Sequence, residues 1–170
     1  MLQIHKRRKF HGSTMPEMLI GLIVAGLAIT VTLNAYVMVS QMWKDDLVMN
    51  ELSRNANIGI EKMLHGAAGS LNSGLLAAKS ISSPVNGVTA NSVSYVDSND
   101  VSRIFYCSGG RIYAAEGVLP TGGIVMLSDV VSVTPFSRSD PTVWIRLALR
   151  KASGSKWINL SVETRVSPRN

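Results

Sequence analysis

Cysteine is almost missing from this 170-residue chain. Cys107 stands alone, so no intramolecular disulfide can form and the fold must hold through packing. The thiol sits in the apolar run Ile104-Phe105-Tyr106-Cys107 and reads as buried rather than as half of an intermolecular bridge. Histidine is nearly as scarce: His5 and His11 lie near the start, which leaves His65 for everything after them. That excludes a histidine-built metal cluster and any triad needing several histidines. There is no Walker A sequence and no GxGxxG, and Gly109-Gly110 and Gly122-Gly123 read as turns. Asp97-Ser98-Asn99-Asp100 has oxygens that suit calcium but lacks the glycine and distal glutamate of an EF-hand loop, so it reads as a hairpin turn. No enzyme, cofactor or metal is expected from these residues. A third absence is positive evidence: from Met18 to Trp43 there is no Asp, Glu, Lys or Arg.

The uncharged run Met18–Val39 makes a helix of roughly 33 Å, enough to cross a hydrocarbon core of about 30 Å. Helix is the form expected there, because lipid offers no partner for backbone N–H and C=O groups. Thr30, Thr32 and Asn34 lie in its second half, where threonine hydroxyls can bond back to helix carbonyls. Gly21 and Gly26 allow close helix approach but lack the spacing of a GxxxG dimer face; tolerance by lipid and packing against other helices both fit them. Ahead of the run stand Lys6-Arg7-Arg8-Lys9, then Gly12, then Glu17.

Basic leader, Gly12, four residues, Glu17 and a spanning run together resemble the signal of type IV prepilins, the family of type IV pilins, competence pilins and type II secretion pseudopilins. Thr14 also matches the family pattern, whereas Ser13 stands where Phe is usual and Pro16 where Leu is usual. The resemblance implies a leader over 1–12, cleavage by a prepilin peptidase between Gly12 and Ser13, N-methylation of Ser13, and a transmembrane helix over 13–42. It also implies that Glu17 acts in assembly, pairing with the N-terminal ammonium of a neighbouring subunit. Physical sense supports each part. Leader cations favour the cytoplasmic side, proline is tolerated in a first helical turn, and a carboxylate at the edge of hydrocarbon calls for a partner. An ordinary signal anchor reads the same run differently; a cleaved secretory signal fits poorly, because the apolar run is too long.

Periodicity carries the helix onward. Trp43, Leu47, Ala56, Ile60, Met63 and Leu64, widened by Val48 and Leu52, recur at helical spacing, and Gly66 marks a stop. Residues 43–65 are therefore expected as a periplasmic continuation, giving one helix over Pro16–His65 of some 75 Å. Residues 66–170 are expected as a variable loop and an antiparallel sheet domain. Gly66–Ala90 reads as loop, with a short strand or helical turn near Leu75–Ile81. Period-two segments then follow: Ser92–Val96, Val101–Cys107, Arg111–Ala114, Gly123–Leu127, Asp129–Ser137, Thr142–Lys151 and Trp157–Val166. The fold class expected is α+β, pilin-like: a long N-terminal helix, its first half transmembrane, packed on a C-terminal antiparallel sheet.

The end of the chain, Glu163-Thr164-Arg165-Val166 and Arg169-Asn170, together with SVSYV and RIFYCSGGRIY, is similar to J-type minor pseudopilins and W-type minor pilins. That implies a minor subunit that starts or caps a type II secretion pseudopilus or type IV pilus. Its partners would be other pilins through the N-terminal helix, an assembly platform and the bacterial inner membrane, with the C-terminal domain periplasmic. Competence-type DNA binding and an uncleaved single-span anchored domain are the alternatives. The net charge of +6 falls to +2 without Lys6, Arg7, Arg8 and Lys9, which argues against nucleic acid as a partner. Arg146, Arg150 and Lys151 with Trp144 and Trp157 read as a solvated sheet face before they read as a nucleic-acid surface.

Overall fold

The computed structural model describes residues 14–66, 73–117 and 122–168. A single helix, α1, runs Met15–His65. Nothing interrupts it after Pro16, which sits in the first turn where its missing N–H costs nothing. It stops at Gly66, whose backbone turns left-handed (φ 95°) while its N–H donates to the Lys62 carbonyl at 2.8 Å.

The chain divides into two compact units, Met1–Trp43 and Lys44–Asn170. In the first, every large apolar side chain from Met15 to Met42 is more than half exposed. In the second, Leu52, Ala56, Gly59, Ile60 and Met63 are buried, at spacings of three and four that keep them on one helix face. Val48 and Leu64 flank that face, half-buried against the core. Trp43 and Leu47 do not join it, at 71% and 64% exposed; the stripe begins at Val48, five residues past its expected start at Trp43.

Among the described residues nine strands follow, all antiparallel and divided between two sheets rather than forming the one expected. The first sheet contains β1 (Ser80–Ser83), β3 (Ser92–Val96), β4 (Ser102–Ser108), β5 (Arg111–Glu116) and β6 (Ile124–Leu127), in that spatial order. The second contains β2 (Thr89–Ala90), β7 (Phe136–Ser139), β8 (Thr142–Ser153) and β9 (Lys156–Val166), again in order. The segment expected as loop up to Ala90 thus supplies a 3-10 turn, Leu75–Ala77, and two short strands, one to each sheet.

The strand expected over Asp129–Ser137 is broken. Only Val130, bridging Leu149, and then Phe136 onward pair regularly. Between them the Ser132 hydroxyl replaces a backbone carbonyl in accepting from Ala148 N–H (2.6 Å), and Pro135 has no N–H to give. The same segment links the sheets, since Val130 N–H donates to Gly110 O at 3.0 Å while Val131 N–H donates to Ala148 O at 2.7 Å.

Along β8, Val143, Ile145, Leu147 and Leu149 are buried and alternate with Trp144, Arg146 and Ala148, as their period of two requires. These residues, Phe136, the stacked Tyr95–Phe105 pair (centroids 5.5 Å apart) and the buried face of α1 form one core. Each fully buried Leu, Ile, Met or Phe contributes about 1.5–3 kcal/mol relative to exposure. The architecture is α+β, with the long helix packed on antiparallel sheet.

Candidate functional site

Of the residues implicated by sequence, Gly12 and Ser13 lie outside the described residues, as does the rest of the leader. Glu17 is described and exposed. Thr14 stands one position before the helix, and its backbone N–H donates to Glu17 Oε2 at 2.8 Å. This is the reach-back half of a capping box: the third residue of the helix satisfies the N–H of the cap residue. Thr14-x-x-Glu17 is the sequence signature of such a cap. Glu17 therefore has a local role at the helix start, and among the described residues the Thr14 bond is the one hydrogen bond of its side chain.

Beyond Glu17 the threonine side chains of the uncharged run turn back onto the helix itself. Thr30 Oγ1 donates to Gly26 O and Thr32 Oγ1 to Ala28 O, both at 2.8 Å, so neither hydroxyl needs an outside partner. α1 is long and apolar enough to cross a membrane, and among the described residues nothing buries its most apolar stretch. Exposed Tyr36 and Trp43 near the charged Lys44 have the amphipathic character typical of a lipid–water boundary.

Other clusters have structural explanations. Asp97 is fully buried, and its carboxylate accepts from Asn99 N–H (2.8 Å), Val101 N–H (3.0 Å) and Arg103 Nε (2.7 Å). Burial alone would push its carboxyl up; the Arg103 hydrogen bond, those from Val101 and Asn99, and the Arg103 charge outweigh this and hold it below the usual carboxylate range. Arg103 also reaches Glu116 at 3.2 Å. The turn considered for calcium is thus organised by protein donors, and its other carboxylate, Asp100, pairs with Lys79 at 2.6 Å. The local sequence signal of this network is a lone arginine among apolar residues, six positions after an aspartate across a hairpin turn. Among the described residues no three His, Cys, Asp or Glu side chains gather as a metal site. Cys107 is half-buried rather than buried, with Sγ 3.3 Å from Ser132 O, and burial pushes its thiol up, away from thiolate chemistry.

The basic and aromatic residues noted in sequence divide between two faces. Lys151 pairs with Glu51 of α1. Arg146 pairs with Glu163 at 2.9 Å and lies 5.7 Å from the Trp144 ring, while Arg150 stacks 4.3 Å over Trp157. In comparisons with protein-family models, curated proteins and solved structures, none matches this chain.

Proposed function

We propose that this chain is a structural assembly subunit of the minor pilin or pseudopilin kind. The reading has it inserted in the bacterial inner membrane by the first part of α1, with the leader cytoplasmic and the sheet domain periplasmic. A prepilin peptidase cuts between Gly12 and Ser13, Ser13 is methylated, and the subunit enters a filament through helix–helix packing. The observation that carries this is the contrast within one helix. Large apolar side chains up to Met42 have no cover of their own, while Leu52, Ala56, Ile60 and Met63 are buried against the sheet domain. A helix that is apolar all round needs lipid or other helices, and a filament supplies the second after a membrane has supplied the first.

The mass of the membrane-extracted protein, with and without the peptidase, tests processing: loss of residues 1–12 is expected only with it, and an intact leader in a cell that cuts other prepilins overturns the reading. Glu17 separates two roles. Glu17→Gln keeps an oxygen to accept from Thr14 N–H and so keeps the cap, but loses the charge needed to pair with a neighbour's ammonium. Membrane anchoring is expected to be unchanged, while incorporation into filaments falls by about tenfold or more, the scale of a lost charged partner at the edge of hydrocarbon. Normal incorporation of the glutamine variant would leave Glu17 as a cap and nothing more.

A further inference from the structure

Among the described residues the free side of β9 is the longest open edge of either sheet. On the opposite edge of β8, Ala148 bonds through both its N–H and its C=O to the 129–135 segment, and Arg146 and Arg150 donate their N–H groups to Pro135 O (2.7 Å) and Asp129 O (2.9 Å). Successive residues of a strand direct their backbone groups to opposite edges, so Ile145, Leu147, Leu149 and Lys151 face β9. Their partners there are Thr164, Val162, Leu160 and Ile158. The N–H and C=O groups of Trp157, Asn159, Ser161, Glu163 and Arg165 therefore point away from β8, where no strand pairs with them among the described residues.

Few of the usual guards are present. From Lys156 to Val166 there is no proline and no glycine, and the register with β8 runs without a bulge. The core-facing row of β9 is also half-finished: Ile158, Leu160 and Val162 are only partly buried, while Leu147 and Leu149 beside them are buried.

We propose that the β9 edge receives an extended segment of a partner protein by strand addition, and that the segment alternates apolar with acidic residues. Its apolar side would complete the cover over Ile158, Leu160 and Val162. Its other side would meet the solvent face of the sheet, where Arg146, Arg150 and Arg165 stand against one acid, Glu163, already paired with Arg146. Among the described residues neither Arg150 nor Arg165 has a carboxylate partner. Charge also argues against a second copy of this chain as the occupant, since β9-to-β9 pairing would bring two sets of these arginines to one seam. The site lies wholly within β8 and β9 and does not depend on processing at Gly12.

The test uses the full chain solubilised in detergent and a labelled synthetic decapeptide alternating valine with glutamate, read by fluorescence anisotropy beside the same peptide with lysine for glutamate. The acidic peptide is expected to bind about tenfold or more tightly than the basic one, and Arg150→Glu with Arg165→Glu is expected to reverse the order. Ser161→Pro removes an N–H from the open edge without touching the β8 ladder, a position where proline is tolerated, and is expected to weaken binding by about tenfold. If that variant does not fold, the charge reversal decides alone. Absence of acidic-peptide binding, equal binding of both peptides, or no effect of a well-folded Ser161→Pro overturns the proposal. So does self-association of the wild type that Ser161→Pro abolishes, which would make a second copy the occupant.

Discussion

Asp97→Ala is expected to destabilise the sheet domain by about 3–5 kcal/mol, the cost of breaking a buried ion pair by removing one partner. The variant strips acceptors from two backbone N–H groups, Asn99 and Val101, that shape the β3–β4 turn. It also leaves Arg103, itself buried, with Glu116 at 3.2 Å as its carboxylate partner. Removing the cation as well, in Asp97→Ala with Arg103→Met, is expected to cost clearly less than the two single changes summed, because both single changes break the same buried pair. Unfolding by urea of the detergent-solubilised chain measures all three variants.

The same carboxylate sets a pH dependence whose sign is fixed. Its native pKa is lowered, so the folded state resists protonation more than the unfolded state does. The stability it contributes is fully present above the unfolded value of about 3.9 and is lost as pH falls through the lower native value. Between pH 5 and 2 the wild type is expected to lose stability more steeply than Asp97→Asn, which has no such proton to take up. Parallel slopes would show that Asp97 does not titrate with folding.

None of this network was visible as a site in the sequence, whereas the elements around it were. The uncharged run and the 3.6 period that follows it together gave the length of α1 to within a residue, and the period of two gave β8 and β9, because each period reports burial on one face. What periodicity cannot report is which apolar row finds a partner. Trp43 and Leu47 are as apolar as Val48 and Leu52, yet the core meets only the second pair. Alternation in Asp-Val-Val-Ser-Val likewise looks like a strand, and only the placement of Ser132 and Pro135 against β8 shows why its ladder fails. The division into two sheets is a matter of distant pairing, as when Thr89–Ala90 joins Phe136–Ser137, and no local pattern encodes it. The Gly12–Glu17 spacing was legible as a family resemblance, but the fold neither requires nor tests it.

Glycines are the other blind spot of a hydrophobic reading, and two of them give opposite expectations. Gly59 is buried in α1, where a methyl group would lie 3.1 Å from Leu127 Cδ1 and 3.2 Å from its Cβ. The neighbour there is a side chain that can shift by a few tenths of an ångström. Alanine also gains about 0.8–1.0 kcal/mol of helix propensity over glycine, which offsets the crowding. Gly59→Ala is therefore expected to change stability by no more than about 1 kcal/mol in either direction.

Gly74 is different. A methyl group there would sit closer than 3.0 Å to Leu64 O, Leu64 C and Gly66 N, all of them backbone at the end of α1. Backbone inside a capped helix terminus cannot step aside without giving up the Gly66-to-Lys62 bond that closes the helix. Nor does the φ of −98° at Gly74 demand glycine; the close approach does. Gly74→Ala is expected to cost about 3 kcal/mol, at the upper end of what overpacking exacts. Urea midpoints of the two alanine variants, measured side by side in the solubilised chain, provide the check. A Gly74→Ala midpoint equal to wild type would mean that the chain entering the 3-10 turn Leu75–Ala77 moves away from the helix end freely, and that α1 is not held there by this contact.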